Sequence, residues 1–177
     1  MALYFITGSK SKFTEMRAIL GGVKQLEIDL PEIQDLDARK IIEAKLAEAQ
    51  KQKDGSFIVE DTSLYLDALN GLPGPLIKWF LKTIGNDGLY KVAKSFGNFR
   101  AEAKTIIGYF DGKKTEFFEG SFNGSLVEPR GKNGFGWDSI FLPEGTIKTF
   151  AELSAEEKNS FSMRKLAAEK LAAHLQK

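Results

Sequence analysis

Two stretches rich in strand-forming residues, 101–110 and 114–127, meet at Asp111-Gly112. That junction limits the fold more than any other feature of the chain. A short Asp-Gly link predicts a type I′ turn, with positive φ at both central residues, and therefore an antiparallel hairpin of two long strands. In the second strand Phe118, Phe122 and Leu126 fall on one face, while Glu119, Ser121, Asn123 and Ser125 fall on the other. A hairpin with one apolar face is not stable alone, so the rest of the chain must cover it.

The remaining pattern supplies both strands and helices. Ala2 to Thr7 is a short apolar run of strand formers, broken by Gly8 and Ser9. Phe13, Met16, Arg17 and Leu20 then recur at helical spacing over Lys10 to Leu20. A short strand is predicted around Gln25 to Leu30, ahead of Pro31, and a helix from Leu36 to Gln52. Phe57 to Leu66 reads as a strand, and Gly71-Leu72-Pro73-Gly74-Pro75 as a loop. Helices follow at Leu76 to Ile84 and Asp87 to Ser95. Pro129 to Gly136 is a Gly-rich loop, Ser154 to Glu157 has the capping-box pattern, and a last helix covers Phe161 to Leu175. No internal repeat divides the chain. The expectation is one α/β domain over residues 1–177, with a mixed sheet and flanking helices.

Composition narrows the chemistry. The chain has no cysteine, which excludes disulfides and thiolate zinc sites, and its one histidine, His174, cannot build a histidine metal cluster. Lys+Arg is 25 against 24 for Asp+Glu, so the basic footprint of a duplex-binding protein is missing. The apolar run at the N-terminus is too short for a signal h-region, and no stretch is long enough to span a membrane. A cytoplasmic protein is expected, with neither nucleic acid nor membrane as partner.

Four groups of residues carry chemistry. Thr7-Gly8-Ser9-Lys10-Ser11-Lys12 joins a strand to a helix N-terminus. Such a turn suits an anion, though a plain polar turn gives the same pattern. Glu32 follows a predicted strand, and Glu60-Asp61 sits within an apolar one. Carboxylates without His or Cys favour Mg²⁺ over zinc, with salt bridges to lysines as the other reading. In Gly131 to Asp138, glycines surround Phe135 and Trp137 beside Asp138. Either a flat ring stacks there or the aromatics anchor the loop. Lys158 and Arg164 place two cations near the predicted start of the last helix, where the helix dipole does not favour them. An anionic or carbonyl partner, or a solvated basic face, would account for that.

Taken together, the four groups and their flanks closely resemble the inosine triphosphate pyrophosphatase family, over about residues 3 to 172. The resemblance lies in Thr7-Gly8-Ser9 with Lys12, Ile28 to Gln34 around Glu32, and Val59-Glu60-Asp61-Thr62. It extends through Leu69 to Pro75 with Ile77 to Phe80, Phe135-Gly136-Trp137-Asp138, Glu157-Lys158-Asn159 and Ser162-Met163-Arg164. Ser9 stands where the family usually has Asn, and Met163 where it usually has His. The resemblance implies an elongated α/β fold with a long mixed sheet, two lobes and a central nucleotide-binding cleft, assembled as a homodimer. It implies cleavage of a deaminated purine triphosphate (ITP, dITP or XTP) to the monophosphate and pyrophosphate. Mg²⁺ would sit on Glu32 and Asp61 with Glu60 supporting, and Asp61 would activate water. Lys12, Lys158 and the Thr7–Gly8–Ser9 loop would hold phosphate. Phe135 would stack on the base, with Gly136 and Trp137 shaping the pocket. Asp138, Ser162 and Arg164 would read the base edge, and Met163 puts that reading in question. A pyrophosphatase for another modified base, a nucleotide sensor without catalysis and a nucleic-acid-binding module are the other readings.

Overall fold

The computed structural model describes residues 2–176. Its strands are β1 (Leu3–Ile6), β2 (Lys24–Leu26), β3 (Ser56–Leu66), β4 (Pro73–Gly74), β5 (Arg100–Phe110), β6 (Thr115–Leu126) and β7 (Phe141–Pro143). Its helices are α1 (Lys10–Leu20), α2 (Ala38–Gln52), α3 (Ile77–Thr83), α4 (Gly85–Phe96), α5 (Ala155–Ser160) and α6 (Met163–Leu175). The sheet is open and mixed, in the order β2-β1-β3-β5-β6-β7, with β4 beside β3. β1 runs parallel to β2 and β3, while β4 and β7 pair antiparallel with β3 and β6.

By its internal contacts the chain falls into two compact units. The first takes the chain up to Thr62, then Thr105–Gly120 and the segment from Met163 onward. It is a three-layer unit, and strand alternation explains why. Neighbouring strand residues face opposite sides. Phe5, Ile58 and Ile107 pack with Met16 of α1 and Ala167, Ala168 and Leu171 of α6. Ile6, Phe57, Val59 and Ile106 pack with Ala38, Ile42, Leu46 and Ala49 of α2. Both faces are covered, so Phe57-Ile58-Val59 reads as a continuous apolar run. Each large side chain buried here contributes about 1.5–3 kcal/mol. Gly120 lets β6 meet the start of α6, since a Cβ there would collide with the Met163 carbonyl.

The second unit takes Ser63–Lys104 and Ser121–Ser162. An aromatic cluster forms its interior: Trp137, Phe141, Phe150 and Phe161 meet in sequence, with ring centroids 5.4–6.0 Å apart. Leu89 and Ala93 turn the apolar side of α4 inward.

Four local expectations change. β2 stops at Leu26 because its partner β1 ends at Ile6, its register mate. The hairpin forms, but not by a type I′ turn. Asp111 keeps negative φ, and its carboxylate accepts from the Lys113 and Lys114 N–H groups at 2.7 and 2.9 Å. That Asx turn widens the link. The Gly-Pro loop contains β4, with a cis Leu72–Pro73 bond. The Ser154–Glu157 capping box is present as predicted, and it caps a short helix, α5, that was not expected; extended Phe161 separates α5 from α6.

Candidate functional site

The first group of predicted residues lies in the three-layer unit. Ser9 caps α1, its hydroxyl accepting from the Lys12 N–H at 3.4 Å, and the Ser9 N–H donates to Thr7 Oγ1 at 3.1 Å. A Cβ on Gly8 would meet nothing within 4 Å. The glycine therefore relieves no crowding and leaves bare backbone beside open space at a helix N-terminus, a favourable place for an anion.

Lys12, one turn along, reaches back to the sheet. Its Nζ lies 3.0 Å from Glu60 Oε1. Glu60 is buried in β3 on the side of Ile58, facing α1 and α6. There Arg164 donates from Nε to Oε2 at 2.8 Å and from Nη2 to Oε1 at 3.0 Å. The third nitrogen of Arg164, Nη1, pairs with Glu15 of α1. Burial works to raise the Glu60 pKa, but the charges of Arg164 and Lys12 outweigh it and hold the carboxyl at about 2. Burial likewise works against the Arg164 charge, and Glu60 and Glu15 together raise its pKa above the ordinary value. Glu60 and Arg164 are both charged at neutral pH. An isolated buried guanidinium would be prohibitively costly; two carboxylates and two-pronged hydrogen bonding make it tolerable.

Asp61 follows Glu60, so alternation turns it to the opposite face, with Val59 and α2. Glu32 belongs to that side as well, its Oε1 accepting from Lys45 of α2 at 2.9 Å. The three expected metal ligands are thus divided. Glu32 and Asp61 share one side as hard oxygen donors, whereas Glu60 is spent on Arg164 and Lys12 on the other. Glu60 therefore does not fit the metal role given to it from the sequence. No group of three or more His, Cys, Asp or Glu side chains placed to hold a metal occurs among the described residues.

The second group lies in the other unit. Phe135 is 42% exposed, between Gly134 and Gly136, which both take left-handed backbone (φ 79° and 63°). Asp138 is buried; its Oδ2 accepts from the Phe135 N–H at 2.8 Å and from Lys158 Nζ at 2.5 Å. Lys158 Nζ also stands 4.6 Å from the Phe135 ring centroid, a cation–π contact. Trp137 is buried in the aromatic cluster, so of the two predicted aromatics Trp137 anchors the loop and Phe135 is partly exposed. Ser162, the last residue of this unit, is buried; Met163, with which the three-layer unit resumes, is buried with Ala167 and Leu171 along one helix stripe.

The mismatch read into the two C-terminal cations resolves differently for each. Lys158 sits in the last turn of α5, where the dipole favours a cation. Arg164 does stand in the first turn of α6, and its guanidinium is engaged by Glu60 and Glu15. Glu15 and Asn86 belong to these groups and were not predicted. Glu15 follows Lys12 by three helical positions, a spacing that shares a face and was a usable signal. Nothing in the sequence marks Asn86, whose contacts span 50 positions and more of chain.

Comparison with known proteins fits this arrangement. The model described as the Ham1 family matches residues 3–174. A protein of Schizosaccharomyces pombe named inosine triphosphate pyrophosphatase is 45% identical over 180 residues, covering 99% of this chain and 95% of its own. One of the same name from Puccinia graminis f. sp. tritici is 40% identical over 186 residues, covering 98% and 96%. Among solved structures, a HAM1 protein from Coxiella burnetii aligns with a TM-score of 0.82 at 25% identity over 99% of both chains. A nucleoside-triphosphatase, dITP/XTP pyrophosphatase, from Mycobacterium abscessus aligns at 0.76 and 25% over 100% of both.

Proposed function

The chain belongs to the Ham1 family, and from that premise we infer that it hydrolyses deaminated purine nucleoside triphosphates to the monophosphate and pyrophosphate. The observation that carries this reading is the 45% identity, over nearly all of both chains, to an inosine triphosphate pyrophosphatase. The two residue groups support it, one rich in paired charges and one built around an exposed aromatic ring.

In this reading the triphosphate engages Lys12 and the Thr7–Gly8–Ser9 loop. When Lys12 turns to phosphate, Glu60 keeps its two bonds from Arg164, so the buried carboxylate is never left unpaired. Lys12 is thus a mobile charge and Arg164 a fixed one. Asp61 holds a water and takes its proton as the water oxygen bonds to the α-phosphorus. The α–β bridging P–O bond breaks, and the negative charge leaves on pyrophosphate, opposed by Lys12. Magnesium, when bound, would be held by Glu32 and Asp61 and would neutralise phosphate charge. Phe135 stacks on the base, Trp137 and Gly136 support that ring, and Asp138 with Lys158 and Ser162 lies at the base edge. Met163 enters only through packing. A cytoplasmic homodimer completes the reading.

Product analysis tests it. ITP with magnesium is expected to give IMP and pyrophosphate, and Asp61→Asn is expected to slow turnover about 10²–10⁴-fold while the protein stays folded. IDP and orthophosphate as first products would overturn the reaction. Near-wild-type turnover by folded Asp61→Asn would overturn the role of Asp61.

A further inference from the structure

The exposed ring of Phe135 is hung between two glycines in left-handed conformation, and such a segment has little stiffness of its own. What orients it is therefore external. On the N-terminal side the Phe135 N–H is held by Asp138. On the C-terminal side the carbonyl of Phe135 accepts from the Asp138 N–H at 3.2 Å, and one residue further on the Gly136 carbonyl accepts from Asn86 Nδ2 at 2.9 Å. The same amide nitrogen donates to Ser139 Oγ at 3.0 Å, so both of its hydrogens are used on this one loop.

Asn86 stands at the start of α4, a packed helix whose Leu89 is fully buried. The side chain thus links a flexible loop to a rigid element. Its orientation is not arbitrary. Asn86 Oδ1 is buried without a hydrogen-bond partner. Flipping the amide would set that oxygen against the Gly136 carbonyl and give up both donated bonds. A lone buried acceptor is destabilising, and it persists here because the alternative loses more.

We propose that Asn86 is a positioning residue for nucleotide binding, fixing the Gly136–Trp137 peptide, one residue beyond Phe135, so that the ring is presented in one orientation. The proposal rests on the stacking role assigned to Phe135 and goes beyond it by naming what holds the ring. Asn86 touches no reacting atom, so its loss weakens binding and leaves the chemical step alone.

The test is a double-mutant cycle on ITP hydrolysis, with Asn86→Ala, Phe135→Ala and the pair, each checked by thermal melting. Asn86→Ala is expected to raise KM about threefold to tenfold, the worth of one or two net hydrogen bonds, with kcat within about twofold. In the Phe135→Ala background the same substitution is expected to add little, because the ring it orients is gone. Asn86→Asp keeps the size of the side chain and replaces the donor by an acceptor, so it should raise KM at least as much. It also serves as the second variant where Asn86→Ala folds poorly. If Phe135→Ala raises KM but neither Asn86 variant does, or if the two effects multiply independently, the positioning role is overturned and the stacking reading stands. An unchanged KM for Phe135→Ala overturns the stacking reading and this proposal with it.

Discussion

At the scale of single residues, what a side chain does here follows from whether its neighbours were foreseeable. Met163 occupies the position where the resemblance leads one to expect a histidine that reads the base. It is 3% exposed, and Ala167 and Leu171, which continue its helix stripe, are fully buried. A histidine there would bring a polar ring into a packed layer, at about 1–3 kcal/mol if unpartnered, which in a chain of this size lowers Tm by about 2–10 °C. Met163→His is accordingly expected to melt earlier and to keep the ITP-to-ATP ratio of kcat/KM within about twofold. A widened ratio would mean that position 163 reads the base. The stripe was legible in the sequence, since it needs only helical periodicity. Arg164 and Glu60 could each be singled out from the sequence as candidate site residues, but not their bond to each other. They lie 104 positions apart, and only the packing of α6 against β3 brings them together.

At the scale of elements, the long periodic segments were legible and the short ones were not. β5, β6, α2 and α6 each hold enough turns or alternations to show a period. β7 has three residues and β4 has two, so neither can. Turn geometry at Asp111 was misjudged because the carboxylate could bond its own backbone, a competition the Asp-Gly pair does not reveal. The base loop shows how far a backbone conformation constrains a site. Gly134 has φ 79°, and a Cβ there would collide with the Asp138 carboxylate. Gly145 has nearly the same φ, 80°, with nothing within 4 Å of a Cβ. Both alanine variants bear the left-handed strain of about 1–2 kcal/mol. Only Gly134→Ala displaces Asp138 from the Phe135 N–H and from Lys158. It is therefore expected to raise KM for ITP about tenfold or more, the loss of charge-assisted bonds. Gly145→Ala should lower Tm and leave KM alone. Equal KM values for the two would detach the loop's conformation from binding.

At the scale of the whole molecule, near-balanced charge conceals an uneven distribution, since a few buried ion pairs carry much of the electrostatic cost of folding. Glu60 titrates at about 2 in the fold, against 4.5 for an unperturbed glutamate. Between those values the unfolded chain binds a proton that the folded chain does not, so stability rises with pH across that window. It is fully present above about pH 4.5 and is lost as acidification proceeds toward 2. Asp35, Glu48, Asp111, Glu116, Glu152 and Glu157 are also held below their ordinary values, chiefly by local hydrogen bonds, and act in the same direction. Their share must be separated from that of Glu60. Removing Arg164 alone would leave Glu60 buried beside one cation and cost about 3–5 kcal/mol. The double variant Glu60→Gln/Arg164→Gln removes both charges and avoids that orphan, while the other six carboxylates stay as they are. Urea midpoints measured from pH 7 down to pH 2.5 are expected to fall more steeply for the wild-type chain than for the double variant, with the curves diverging only below about pH 4.5. Parallel curves would assign the acid sensitivity to those six carboxylates and would show that the Glu60–Arg164 pair contributes nothing to it.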